Sequence, residues 1–337
     1  MTAKPLSALP PAFDAPHLLA DIGGTNARFA LESKPGCIEH VEVLPCAAHE
    51  RLTDALRAYL ALPAIVAAGG AAIRHAAIAI ANPVEGDLVR MTNHHWEFSI
   101  EAVRLECGFQ TLLLVNDFTA LARSLPLLSS TQKYQVGGGA ALEHSALGLI
   151  GPGTGLGVSG LIPCGDGWSA LLSEGGHVSF SPVNETEIAI LQFALRQFDH
   201  ISAERLLSGV GLELIYRALA ECAGVAAEAL KAPEILRRAL AGESALCDQV
   251  IDVFCQMLGT IAGTLAVTLG ARGGVYIGGG IVPRLGARFA QSGFRASFEQ
   301  KGRFAAYLSQ VPTYVISAQY PAFLGVAAIL SEALAAA

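Results

Sequence analysis

Runs of positive charge are missing from this chain. Its 22 lysines and arginines are scattered among 29 acids, for a net charge of −7. That balance argues against nucleic acid or an anionic membrane as partner. Any phosphate it binds must be held by backbone amides, helix N-termini and a cation. The usual phosphate signatures are missing too, since no G-x-x-x-x-G-K-[ST] occurs. GPGTGLG (151–157) fails as a dinucleotide fingerprint. Counted from Gly151 the sixth residue is Leu156, from Gly153 it is Val158, and the following VSGLI reads as strand rather than helix. There is no CxxC. The seven cysteines (37, 46, 107, 164, 222, 247, 255) are odd in number and read as reduced thiols of a cytosolic protein. Residues 1–16 hold four prolines and one lysine but no apolar h-region, so they are expected to be a flexible extension rather than a signal peptide. Residues 253–271, VFCQMLGTIAGTLAVTLGA, carry no formal charge, but their three Thr and three Gly favour a buried helix over a membrane span.

What the chain does have is apolar residues and glycine. A hydrophobic share of 52% and 36 glycines over 337 residues suit a globular α/β protein of two domains. One device occurs twice: an apolar strand, a glycine turn, a second apolar strand. It appears at LLADIGGTNARFAL (18–31) and at ALGLIGPGTGLGVSGLI (146–162). Gly23-Gly24 can supply the positive φ of a tight hairpin, with Asp21 and Asn26 as ordinary turn residues. The same turn can face its N–H groups toward a phosphate, with Thr25 as an added donor and Asp21 holding a metal-bound water. Thr154 tips the second such turn.

Further strands are expected at 41–45, 76–81, 87–91, 111–115, 273–282 and 311–317. Helices are expected at 50–60, 99–107, 118–125, 185–198, 203–208, 212–223, 231–241 and 246–268. The final FLGVAAILSEALAA reads as a helix that packs back on the first unit, and 126–145 as irregular. The expected division is 17–127 plus 318–337 as one domain and 128–317 as the other. Two similar hairpins, one per lobe, suggest a ligand held between lobes.

Other short stretches carry polar chemistry. LLLVNDF (112–118) sets Asp117 between a buried strand and a helix, where it can be an N-cap or a ligand at the carboxyl end of an α/β strand. SEGGHVSF (173–180) sets Glu174 and His177 across two glycines, able to turn toward one small polar ligand. SAERLLSG (202–209) opens a helix with Ser202 as cap and Glu204 in its first turn. In MTNHHW (91–96) adjacent histidines on an extended chain point to opposite faces, which disfavours a metal pair.

Together, in order and spacing, these segments resemble bacterial ATP-dependent glucokinases of the non-ROK type, in the hexokinase–actin-like ATPase clan. ADIGGTNARFAL, IAIANPVEGD, MTNHHWEFSI, VNDFTAL, GPGTGLGV, SEGGHVSFSP, SAERLLSG, GGVYIGGGIVPR and SGFRASFEQKGRF carry the resemblance, from residue 17 to about 330. ROK kinases resemble the first turn but have a Cys-rich zinc motif with no counterpart here, so no zinc site is expected. The resemblance implies a two-lobed actin-like ATPase (ribonuclease H-like) α/β fold with a cleft between lobes. It implies transfer of the γ-phosphoryl of ATP to the 6-hydroxyl of D-glucose, with Mg2+, in a cytoplasmic homodimer. Asp21, Ile22, Gly23, Gly24, Thr25 and Asn26 then match the first phosphate loop and Gly153, Thr154 and Gly155 the second. Gly278, Gly279 and Gly280 lie beside the adenosine. Asn116 and Asp117 match the sugar-binding pair, with Asp117 as catalytic base, and Glu174, His177 and Glu204 match further sugar contacts. Losing any of these last three is expected to weaken sugar binding and spare ATP. Asn82, before Pro83, is expected to be a variable position. A kinase for another hexose or amino sugar, and a non-catalytic sugar-sensing regulator, are the alternatives; the regulator would be expected to lack the acid at 117 or to carry a DNA-binding extension.

Overall fold

Strand β1 (His17–Ile22) sends Leu18, Ala20 and Ile22 to one face and Leu19 to the other, the two-residue period of a pleated strand. It turns back into β2 (Asn26–Lys34), which continues into β3 (Cys37–Pro45), both pairings antiparallel. Strand β4 (His75–Ile80) joins β1 in parallel. Strands β5 (Leu88–Arg90) and β6 (Glu97–Ser99) form a separate ribbon, and β7 (Thr111–Asn116) completes the sheet beside β4, in the order β3-β2-β1-β4-β7.

The computed structural model describes residues 13, 15–92 and 94–336, which fall into two compact units. The first runs to Leu128 and resumes at Gln319; the second is Ser129–Ala318. In the first, one sheet face buries Phe29, Tyr59 and Trp96. The other is paved with Ala30, Ala77 and Ala79 beneath Phe323, Val326 and Leu330 of the Ala322–Ala336 helix. That helix therefore packs on the first unit, as its sequence suggested. Small residues permit a close approach: a Cβ on Gly325 would stand 1.7 Å from the carbonyl oxygen of Ala120, in the Asp117–Ser124 helix.

The second unit holds β8 (Lys133–Val136), β9 (Leu147–Pro152), β10 (Leu156–Cys164), β11 (Gly167–Ala170), β12 (Gly274–Ile277) and β13 (Thr313–Ile316), ordered β11-β10-β9-β12-β13-β8. With β8 set aside, this sheet repeats the first strand for strand: two antiparallel pairings on one side of the leading strand, two parallel pairings on the other. The uncharged stretch lies in the helix Ala245–Leu269, largely buried in this unit. Gly259 and Gly263 face the Phe294–Glu299 helix, whose carbonyl oxygens would meet added Cβ atoms at 2.2 and 2.4 Å. All seven cysteines are free thiols.

Two expectations about local structure change. The region 126–145 is not wholly irregular, because β8 pairs with β13 and seats Lys133 over the rings of Tyr276 and Tyr314. Four residues, KYQV, are too few to show a period. His94 and His95 do not face apart: they lie in a bend, not a strand, and their rings sit 4.2 Å centroid to centroid, with His94 edge-on to Trp96. Among the described residues no cluster of three or more His, Cys, Asp or Glu could hold a metal. Residues 1–12 and 14, in the expected extension, lie outside the described residues.

Candidate functional site

In the first unit, the candidate residues gather at the carboxyl ends of the three parallel strands. Ile22 and Asn116 both stand beside Ile80 in the β1–β4–β7 register, so Asp21, one residue before Ile22, and Asp117, one after Asn116, lie at the ends of the two strands that flank β4. Asp21 pairs across the hairpin with Arg28, whose Nη1 donates to Oδ2 at 3.2 Å. Burial holds the Asp21 carboxyl above its ordinary range, and Arg28 opposes the shift. Sequence reasoning missed Arg28, although a hairpin that pairs Ile22 with Ala27 necessarily pairs Asp21 with Arg28.

The 23–26 turn is braced from behind. Gly23 N–H donates to the Asn26 carbonyl at 2.9 Å, Cys46 N–H donates to the Thr25 carbonyl at 2.9 Å, and the Cys46 thiol donates to the Gly23 carbonyl at 3.4 Å. The expected positive φ is absent at Gly23, where a Cβ would meet only ordinary contact, Asn26 O at 3.6 Å. Glycine there is not needed to bend the chain. It leaves the turn bare of side chain, with Thr25 exposed at its tip.

Asn116, not Asp117, caps the Asp117–Ser124 helix: its Oδ1 accepts from Phe118 N at 3.0 Å and Thr119 N at 3.2 Å. Capping by Asn116 leaves Asp117 as the first helical residue. Its Oδ1 accepts from Phe118 N at 2.9 Å and Asn116 Nδ2 at 3.1 Å. Burial pushes the Asp117 carboxyl up to about 6, with the Asp21 carboxylate adding to the rise and these donors working against it. A carboxylate so placed can accept a proton near neutral pH. Asn82 is also part of this corner. It is buried, its Oδ1 accepts from Thr92 N at 3.0 Å, and its carbonyl accepts from Asn116 Nδ2 at 3.4 Å. Nothing in an Asn-Pro pair taken alone marks that role.

In the second unit, GPGTGLG forms the β9–β10 turn, with Gly153 N–H donating to the Gly155 carbonyl at 2.8 Å and Thr154 exposed. Gly278 N–H donates to the Ile150 carbonyl at 2.8 Å and Ile281 N–H to the Pro152 carbonyl at 3.2 Å, which seats 278–280 against that turn. Only glycine fits at 279, with φ +75° and Pro152 O 2.3 Å from any Cβ.

Glu174 and His177 come within 3.9 Å of one another, Oε2 to Nε2, both well exposed. His177 and Glu204 line one open recess of about 410 Å3 with Asp199, His200 and Arg205. Ser202 caps the Ala203–Leu206 turn of helix by accepting from Arg205 N at 3.1 Å. Sequence reasoning missed a second attachment of Glu204, whose Oε2 accepts from Leu156 N–H at 2.9 Å and so ties it to the glycine turn.

Known proteins with this pattern were found by comparison of sequence and of fold. The chain is 58% identical over 323 residues to the "Bifunctional protein glk" of Burkholderia thailandensis, covering 95% of this chain but 49% of that protein. It thus spans about half the length of such bifunctional relatives. It is 55% identical to the glucokinase of Chromobacterium violaceum, covering 98% of this chain and 92% of that one. Among solved structures, a glucokinase from an Antarctic psychrotroph superposes with a TM-score of 0.84 at 37% identity, covering 94% of this chain and 99% of the other. The Glucokinase family model matches residues 18–333, and the chain belongs to that family.

Proposed function

We propose that this chain transfers the γ-phosphoryl of ATP to the 6-hydroxyl of D-glucose, giving glucose 6-phosphate and ADP. The observation that carries the reading is Asp117: a carboxyl raised to about 6, fixed by two donors at the carboxyl end of a parallel strand. A sugar hydroxyl is a poor nucleophile, and the reaction needs an acceptor for its proton together with in-line positioning of the phosphoryl group. Asp117 takes that proton as the oxygen attacks phosphorus. Asn116, held by the Asn82 carbonyl, orients the acid. Glu174, His177 and Glu204 bind sugar hydroxyls, and a missing or inverted hydroxyl leaves one of them desolvated and unpaired.

The bare turns at 21–26 and 153–155 receive phosphate oxygens on backbone N–H groups, and 278–280 lies beside the adenosine. The donor set of the first unit fits a hard cation: two carboxylates, Asp21 and Asp117, close enough for one to raise the other. Mg2+ bound with the nucleotide would neutralise charge on the β- and γ-phosphate oxygens, its waters held by Asp21. A cytoplasmic homodimer belongs to the same proposal, and light scattering in solution tests the dimer.

A coupled ADP-release assay across a panel of hexoses and amino sugars tests the reading. Glucose should give the highest kcat/KM. A higher value for another sugar would reassign the substrate. Sugar binding without turnover would make the chain a sensor.

A further inference from the structure

The Ala203–Leu206 helix is bonded on both sides. On one side it is tied to the segment after His177: Ala203 N–H donates to the Val178 carbonyl at 2.8 Å, and Phe180 N–H to the Ile201 carbonyl at 2.9 Å. On the other it holds the β9–β10 turn at two points. Leu156 N–H donates to Glu204 Oε2 at 2.9 Å, and Gly209 N–H, just past the helix, donates to the Gly153 carbonyl at 2.9 Å. The turn fits round the carboxylate so closely that a Cβ on Gly155 would lie 2.4 Å from Oε2.

We propose that Glu204 is a clasp between the sugar and nucleotide determinants of this unit. One carboxylate oxygen fixes the phosphate turn through Leu156 N–H, and the other receives a sugar hydroxyl, so each ligand finds the side chain already positioned by the other's binding element. The inference rests on the proposed function, and it makes Glu204 a positioning residue for the turn as well as a sugar ligand. It predicts a cross-effect that separate sites would not show. A methyl group added at Gly155, against the Glu204 carboxylate, should weaken glucose binding with no nucleotide present, and loss of Glu204 should weaken nucleotide binding with no sugar present.

Gly155→Ala is the decisive variant. Its backbone lies outside the left-handed region, and the group in its way is the tip of a flexible side chain, so the protein folds and the carboxylate moves. Gly167→Ala, in β11 and outside the assigned sites, is the control, because a Cβ there meets only Cys164 O at 3.8 Å. Calorimetry on the whole chain, titrating glucose alone, should show binding weakened roughly tenfold in Gly155→Ala, but within about twofold of the unmodified protein in Gly167→Ala. Titrating the non-hydrolysable analogue AMP-PNP with Mg2+ and no sugar should show roughly fivefold weaker binding in Glu204→Ala, with most of it restored in Glu204→Gln, which keeps an acceptor for Leu156 N–H. Hydrogen exchange at Leu156 should quicken in Glu204→Ala. Unchanged glucose affinity in Gly155→Ala, or unchanged AMP-PNP affinity in Glu204→Ala, overturns the clasp. If the unmodified protein binds no glucose, the proposed function falls instead, and the AMP-PNP arm alone decides whether Glu204 holds the turn.

Discussion

Replacing Asp117 by Asn tests the proposed base through two quantities that should move in opposite directions. Asparagine keeps the oxygen that accepts from Phe118 N and Asn116 Nδ2, so the helix start is preserved while the charge is removed. Catalysis should fall by roughly 10²–10⁴-fold in kcat, the usual contribution of a positioned base, with glucose affinity far less affected. Stability should rise. In the unfolded chain the acid ionises near 3.8, and in the folded protein near 6. At about 1.4 kcal/mol per unit, ionisation then costs the fold at most ~3 kcal/mol, or roughly 1–3 kcal/mol after partial solvent contact. The folded value is the raised one, so the penalty is complete above about pH 6 and is gone below 3.8. Urea unfolding without nucleotide or Mg2+ should therefore show the variant more stable than the unmodified protein at pH 8, with the gap closing toward pH 4. A variant that keeps kcat within tenfold refutes Asp117 as the base. An equal stability gap at both pH values refutes the raised carboxyl.

The same titration predicts that kcat/KM for glucose falls as pH drops through about 6, and Asp117→Asn should lose that limb from its residual rate. Removing Glu174 or His177 should cost sugar binding about 1–3 kcal/mol each, read as a raised KM for glucose with ATP kinetics preserved, since their ion pair is with each other. Arg28→Met should leave Asp21 buried without its partner, move its carboxyl higher still and raise the KM for MgATP; unchanged MgATP kinetics would remove Asp21 from the phosphate corner. Gly325→Ala sets a methyl against Ala120 O and should destabilise the first unit by more than about 2 kcal/mol while lowering kcat. A neutral outcome in urea unfolding would show that the two helices can part.

Most elements could be read from the chain because burial imposes a period on it. AAIAIA and LLLV are apolar on both faces and become parallel strands covered on both sides, one inside the sheet and one at its edge, and the uncharged 253–271 stretch is largely interior. What escaped was cross-chain geometry. Strand β8 is short and polar, and its place depends on β13, 177 residues away at the Thr313–Val136 pair. The glycines of 21–26 were visible with two readings open, and the backbone removes one of them: Gly23 clears space instead of bending the chain. The acid at 117 was visible, yet the cap was its neighbour Asn116, because both residue types suit that position and only the backbone turn decides between them. Arg28, Asn82 and the Glu204–Leu156 bond became apparent only once strands and turns had partners.

The first unit closes with the Ala322–Ala336 helix, and this sets a timetable on the ribosome. Residues up to Leu128 emerge with the Ala30–Ala77–Ala79 face uncovered and with no Gly325 beside Ala120. The cover arrives only after Ser129–Ala318 has been made, roughly 10–40 seconds later at about 5–20 residues per second. The second unit, continuous in sequence, can mature during that wait. The helix bearing Asp117 cannot, so a nascent chain whose residues up to 318 have cleared the exit tunnel while the final helix is still inside it should carry a folded second unit and an apolar, chaperone-accessible first one.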